Sequence, residues 1–353
     1  MPKRVRVLVV DDSAFARVAI SKRFNADPRV EVIAQARDGI EAVEQTKHLK
    51  PDVVTMDVTM PRMDGIEAVE HIMKECPTPV VMLSALTREG ADVTIQALEL
   101  GAVDFFLKPS IVSPAGGDEE AGGLIEKLIV AAGAKLTKRG TKEIPKPVSQ
   151  PARKRASRIG RLVVFGSSTG GPGALNRVIP RIPADLPVAI LLVQHMPVGF
   201  TRSLAERLNS LSEFEVREAV DGDRIAPGLA LVAPGGSHMV VDSRGMVSLN
   251  QGPQEYGLRP TVNMTMESAA ASFGDSVLGV VLTGMGSDGT RGAGLIKKAG
   301  GEVIVEDEST CVVYGMPKSI VDEGLADSVL PLDQIAEEIG KRCKAGSRLK
   351  ARV

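Results

Sequence analysis

No stretch of this sequence holds the roughly 20 consecutive apolar residues that a membrane-spanning helix requires, so membrane insertion is not expected. Cysteine is scarce: Cys76, Cys311 and Cys343 lie far apart, odd in number and without zinc-ligand spacing. With no leader-like N-terminus, that usage points to a reducing cytoplasm rather than a disulfide-stabilised secreted fold. An excess of either charge is also missing. Lys and Arg number 43 against 44 Asp and Glu, a net charge of −1, so nothing global advertises nucleic acid or a membrane surface. Histidine is limited to His48, His71, His195 and His238, which keeps the candidates for a general base few. What is present is an ordinary soluble composition, 43% apolar and 25% charged. Its 353 residues suit two domains at roughly 150 residues each.

The chain begins with a regular alternation. Val5–Val10 is a nearly unbroken apolar run, as in a parallel strand covered on both faces, and it ends at Asp11-Asp12-Ser13. A helical pattern follows through Phe15, Val18, Ile20 and Phe24. Later runs end at Asp57, at Ser84 and at Lys108-Pro109, with helical segments between them. About five such repeats predict a doubly wound parallel sheet. Asp11, Asp12, Asp57, Ser84 and Lys108 then all fall at carboxyl ends of strands, the edge where open parallel sheets bind ligands. A single Asp there often only caps the next helix. Five polar residues at successive strand ends point instead to a site. Clustered carboxylates tolerate one another around a hard divalent cation such as Mg²⁺. The cation would also offset an incoming phosphoryl group, with Asp57 as acceptor, Lys108 as a point charge and Ser84 as a hydrogen-bond donor.

At these residues the sequence resembles the receiver domain of two-component response regulators. The matching segments are Asp11-Asp12, Met56 to Gly65, Ser84-Ala85 and Lys108-Pro109. The resemblance implies a flavodoxin-like domain with a five-stranded parallel sheet over residues 1–136. It further implies that Asp57 takes phosphate from a histidine kinase with Mg²⁺ bound by Asp11, Asp12 and Asp57, and that Ser84 and Lys108 read the phosphorylated state.

Residues 137–160 have a linker composition rich in Lys, Arg, Pro and Ser. Their basic run Arg153-Lys154-Arg155 suggests a nucleic-acid contact, but no helix-turn-helix follows, and a solvated linker is expected.

Alternation resumes over 161–353, with strands expected at 161–165, 188–193, 229–233, 277–282 and 302–305. Two apolar runs flank Ser243-Arg244-Gly245, a hairpin signal that predicts a mixed sheet. The first strand leads into Gly166-Ser167-Ser168-Thr169-Gly170-Gly171-Pro172-Gly173. A hydroxyl among glycines at a strand end is either a nucleophile on a sharp turn or part of a phosphate cradle. The cradle lacks its usual marks: Pro172 stands where a Walker loop needs Lys, and the dinucleotide glycine spacing fails. Two other strand ends supply what a serine nucleophile needs, Gln194-His195-Met196-Pro197 and Thr283 to Gly289. Ser168, His195 and Asp288 then form a base-activated nucleophile, and glycines around Met285, with the turn at Thr169, free N–H groups for an oxyanion. His238 competes as the base, and Asp288 alone would simply cap a helix. The order Ser, His, Asp is not that of the common α/β-hydrolases.

These three segments resemble the motifs of the chemotaxis receptor methylesterases, the CheB family. Locally the chain departs from many relatives, which carry alanine at Ser167 and asparagine near Ser287. The family implies a Rossmann-like α/β catalytic domain, mostly parallel with an antiparallel hairpin, that hydrolyses glutamate methyl esters on chemoreceptors and deamidates specific glutamines. It implies Ser168 as nucleophile, His195 as base, Asp288 as orienting acid and Met285 beside the oxyanion, with no cofactor at the hydrolase site. The expected protein is thus a cytoplasmic monomer, activated when phosphate on Asp57 shifts the receiver from the catalytic cleft. A non-enzymatic response regulator whose second domain binds a nucleotide or partner protein is the alternative.

Overall fold

The computed structural model describes residues 3–85, 87–108, 118–136 and 159–344. They fall into two compact units, Met1–Lys138 and Arg139–Val353. Most of the expected linker, with its basic run at Arg153 to Arg155, lies outside the described residues.

In the first unit β1 (Val5–Val10), β2 (Val30–Ala36), β3 (Val53–Asp57), β4 (Val80–Ser84) and β5 (Asp104–Leu107) alternate with helices. These are α1 (Ala14–Asn25), α2 (Gly39–Leu49), α3 (Gly65–Glu75), α4 (Arg88–Leu100) and α5 (Asp118–Ala132). The sheet order is β2-β1-β3-β4-β5 with every pairing parallel, the five-stranded fold anticipated from the sequence. β3 and β4 are buried throughout, as helices on both faces require. The chain reverses its direction of winding between β1 and β3, so the carboxyl ends of those two strands flank the crevice. The helix caps are Ser13, Asp38, Asp64 and Thr87, each accepting a first-turn N–H. Asp11, Asp12 and Asp57 therefore do not cap helices.

The second unit contains β6 (Arg161–Ser167), β7 (Val188–Gln194), β8 (Glu215–Glu218), β9 (Leu229–Val232), β10 (His238–Val241), β11 (Val247–Asn250), β12 (Val277–Val281), β13 (Glu302–Glu306) and β14 (Ser328–Leu330). Its helices are α6 (Gly171–Val178), α7 (Phe200–Leu211), α8 (Val262–Phe273), α9 (Thr290–Lys298), α10 (Met316–Asp322) and α11 (Leu332–Lys344). Seven strands form one sheet in the order β14-β13-β12-β6-β7-β9-β8, parallel at every pairing. The edge strands β8 and β14, four and three residues long, are too short and polar to have been read as strands.

The hairpin is present, but β10 and β11 form a sheet of their own, so the main sheet is wholly parallel rather than mixed. The reason lies in α8. Its hydroxyls take up the free edge of β10: Thr265 donates to Met239 O at 2.7 Å, Ser272 donates to Val241 O at 2.9 Å, and Ser268 accepts Val241 N–H at 3.1 Å. With those backbone groups satisfied by a helix, the hairpin needs no partner strand.

Winding reverses between β6 and β12, at the centre of the sheet, and α8 packs close against this point. A Cβ on Gly166 would lie 2.4 Å from Val262 Cγ1, so only glycine lets the start of α8 approach β6. Gly166→Ala is expected to destabilise the protein by about 1–3 kcal/mol through this overlap. Urea unfolding of the full chain checks it, and an unchanged midpoint would show that α8 can move aside freely.

Candidate active site

In the first unit the polar strand ends converge. Asp57 closes β3, Asp11 and Asp12 follow β1, and one carboxylate oxygen from each lies within 4.8 Å of the others. Lys108, just past β5, places Nζ 2.7 Å from Asp57 Oδ2 and 2.9 Å from Asp11 Oδ2. Burial is the largest influence on Asp57. Helped by the Asp11 charge, it outweighs the Lys108 hydrogen bond and charge and raises the carboxyl to about 6. An all-oxygen set short of positive charge fits a hard divalent ion such as Mg²⁺. Ser84 stands one residue past Leu83, the partner of Asp57 on β4, but its hydroxyl is engaged with the start of α4. It lies 3.2 Å from both Ala85 O and Gly90 O and accepts from Thr94 Oγ1 at 2.9 Å.

In the second unit, Ser168, His195 and Asp288 follow the three central neighbours β6, β7 and β12. His195 Nε2 lies 2.8 Å from Asp288 Oδ2, with side chains 5% and 2% exposed. Asp288 does not cap α9, whose N-cap is Gly289. It accepts instead from Val262 N at 2.7 Å and Asn263 N at 3.0 Å, the first two residues of α8. Burial would raise its pKa. The His195 hydrogen bond and charge, aided by the two amides, outweigh that and hold the carboxyl below its usual range. A carboxylate is favoured there because the helix N-terminus is electropositive.

With Nε2 bound to Asp288, Nδ1 is the imidazole nitrogen left for proton transfer. His238, the competing base, is fully buried. Its Nε2 lies 3.0 Å from Pro253 O and its Nδ1 3.3 Å from Thr261 Oγ1, so it bridges β10 to the start of α8. Ser168 is 9% exposed. Its N–H donates to Thr283 O at 3.1 Å and its carbonyl accepts from Gly171 N at 2.8 Å. The Thr169 carbonyl accepts from Thr283 Oγ1 at 3.0 Å. One expected oxyanion donor is already engaged: Gly284 N–H donates to Val313 O at 3.0 Å. Met285, half-buried in the same turn, makes no backbone hydrogen bond through its N–H among the described residues.

Comparison with known proteins identifies the family of each unit. A family model described as "CheB methylesterase" matches residues 163–339, and one described as "Response regulator receiver domain" matches residues 7–113. The protein-glutamate methylesterase/protein-glutamine glutaminase of Symbiobacterium thermophilum is 48% identical, over 97% of this chain and 98% of its own length. That of Pyrococcus horikoshii is 46% identical, over 97% of this chain and 94% of its own. The crystal structure of the Thermotoga maritima CheB methylesterase catalytic domain matches with a TM-score of 0.51 and 47% identity, covering 52% of this chain and 98% of that one. The chain belongs to the CheB methylesterase family. Its first unit is a response regulator receiver domain and its second is the methylesterase domain of this enzyme family.

Two further groups of this CheB-family chain carry weight that the sequence reading did not assign. In the sequence, Gln194 stands out only as the neighbour of His195. Glu306 ends β13 with no exposed surface; the strand-end rule that singled out Asp57 would have found it. Its Oε2 accepts Thr283 N–H at 2.8 Å, and Thr283 in turn holds the Ser168 N–H and the Thr169 carbonyl. Burial dominates over the Thr283 amide and raises Glu306 from 4.5 to about 7.

Because the folded-state pKa is the higher one, the native protein holds this proton more tightly than the unfolded chain does. Stability therefore falls as pH rises from about 4.5 to about 7 and levels off above. Glu306→Gln keeps an acceptor for Thr283 and removes the charge. The variant is expected to exceed the wild type in stability by roughly 3 kcal/mol at about pH 8, with the gap closing below about pH 5. Melting curves across that range check it; a gap independent of pH would mean that Glu306 is not the titrating group.

Proposed function

We propose that this chain is a phosphorylation-activated protein-glutamate methylesterase and protein-glutamine glutaminase acting on chemoreceptors, with Ser168 as its nucleophile. The observation that carries the reading is the 2.8 Å contact between His195 Nε2 and Asp288 Oδ2, at the same sheet edge as Ser168. Residues 1–136 serve as the receiver, 137–160 as a linker and 161–353 as the catalytic domain.

In this mechanism Ser168 Oγ attacks the carbonyl carbon of a glutamate methyl ester while His195 Nδ1 takes the hydroxyl proton. The Asp288 carboxylate stabilises the imidazolium that forms, without accepting its proton. The Met285 N–H is the donor proposed for the developing oxyanion, with the backbone at Thr169 beside it. Collapse of the tetrahedral intermediate breaks the C–O bond, and the His195 proton leaves with methanol. Water then adds to the acyl-enzyme with His195 as base, releasing glutamate and restoring Ser168. A glutamine side chain follows the same path with ammonia as the leaving group.

On the receiver, a histidine kinase supplies the phosphoryl group to Asp57. Asp11, Asp12 and Asp57 would hold Mg²⁺, which when bound neutralises phosphoryl charge. Lys108 pairs with the phosphorylated side chain and Ser84 turns its hydroxyl from α4 toward it. The buried, charge-deficient setting of Asp57 supports this, since a site short of positive charge gains from the cation that phosphorylation requires.

Methanol release from methylated chemoreceptor tests the reading. Ser168→Ala should lower it by at least about 1,000-fold while Asp57 phosphorylation proceeds unchanged; full activity in that variant would rule out Ser168 as nucleophile. A small-molecule phosphoryl donor should raise the wild-type rate and leave Asp57→Ala unaffected. A rate indifferent to the donor would remove the regulatory part of the proposal and leave the hydrolase intact.

A further inference from the structure

The backbone ladder between β6 and β7 ends at the rung pairing Ser167 with Gln194. Immediately beyond it the two chains leave the sheet at Ser168 and His195. Only His195 N–H to Ser167 O, at 3.1 Å, continues the backbone pairing. The side chain of Gln194 takes over from there. Its Nε2 donates to Ser168 O at 2.9 Å and to His195 O at 3.3 Å. One amide thus holds the carbonyls of both residues.

The orientation of that amide is determined by its neighbours. Two carbonyls demand its donor end, so Oε1 must point away, and there it accepts from Ser167 Oγ at 2.7 Å. Gln194 is 2% exposed and Ser167 has no exposed surface, so water does not compete for these bonds. Gly171 completes the enclosure. A Cβ at that position would lie 2.0 Å from Gln194 Oε1 and 2.9 Å from Ser167 Oγ. The glycine after the Ser168 turn therefore makes room for the amide. Buried amides leave few donors unused because an unpaired one costs more than a bond returns, and here each end has found a partner.

We infer that Gln194 is a positioning residue that sets the Ser168 turn and the His195 loop relative to each other, with Ser167 as its anchor. The inference rests on Ser168 and His195 being nucleophile and base. A hydroxyl and an imidazole carried on separate loops must be held to within a fraction of an ångström for proton transfer, and a misplacement of about 1 Å costs on the order of 100-fold. Without the Ser167 anchor, the Oε1 end of the amide loses its hydrogen bond, and the side chain shifts more easily and holds both loops less firmly.

Methanol release by the full chain from methylated chemoreceptor reads the effect. Gln194→Met should lower kcat by about 10- to 100-fold with KM nearly unchanged. Ser167→Ala should lower kcat by about 3- to 10-fold, and the double variant should match Gln194→Met alone, because an anchor with nothing to hold contributes nothing. A purely structural role would shift the melting temperature and leave kcat of the folded variants at the wild-type value. Wild-type kcat in Ser167→Ala, or an equal cost of Ser167→Ala in both backgrounds, overturns the inference. If Gln194→Met does not fold, Gln194→Glu replaces it, since a carboxylate oxygen against the two carbonyls repels them; wild-type kcat there overturns it equally. Ser168→Ala measured alongside separates the two levels. Activity persisting in Ser168→Ala sinks the nucleophile assignment, whereas its loss beside an unimpaired Ser167→Ala sinks only the role of Gln194.

Discussion

The Asp288 carboxylate receives a hydrogen bond from His195 Nε2 and two from the first amides of α8, and much of the second unit exists to make that possible. An anion this buried is costly unless donors surround it. The helix supplies them, and its N-terminal partial charge keeps the carboxyl ionised. Reaching the carboxylate requires α8 to lie almost against β6, which Gly166 permits. Thr261, one residue before the helix, hydrogen-bonds His238 on β10, and three α8 hydroxyls hold the rest of that strand. The hairpin thus steadies the helix whose first amides hold Asp288 against His195.

Both units use the same architectural device for opposite electrostatic ends. Each parallel sheet reverses its winding at its centre, leaving strand ends splayed at one edge. In the receiver that edge collects three carboxylates against one lysine, and burial leaves Asp57 poorly compensated. A bound divalent cation would relieve that imbalance. In the second unit Asp288 is compensated by helix amides and imidazole. The contrast follows from where the helix N-termini go: in the receiver Ser13, Asp38 and Asp64 cap them locally, while α8 is capped in trans by Asp288.

Behind the second site lies a layer of almost fully buried polar groups. Glu306 holds the Thr283 amide, Thr283 holds Ser168 and Thr169, and Gln194 holds Ser168 and His195. Such networks cost little when every member is satisfied and much when one is not. Gln194 is fully satisfied. Burial leaves the Glu306 anion poorly solvated, which is why its carboxyl is pushed to about 7 and why it is the pH-sensitive member.

The alternation of buried apolar runs with helical patterns was enough to read both α/β layers, because parallel strands buried on both faces leave an unmistakable mark in the sequence. Each run's final polar residue also pointed to the correct edge: Asp11, Asp57 and Lys108 meet in the receiver, and His195 meets Asp288. Where the hairpin belongs was not legible, since the groups that satisfy β10 are α8 hydroxyls more than twenty residues away in sequence. Nor was the partner of Asp288, for a carboxylate ahead of a helix looks like that helix's cap until another helix is seen to end on it. Gln194 and Glu306 were visible as letters but not as functions. A buried side chain's task is set by what its neighbours lack, and only the folded chain decides which carbonyl or amide stands unpaired beside it.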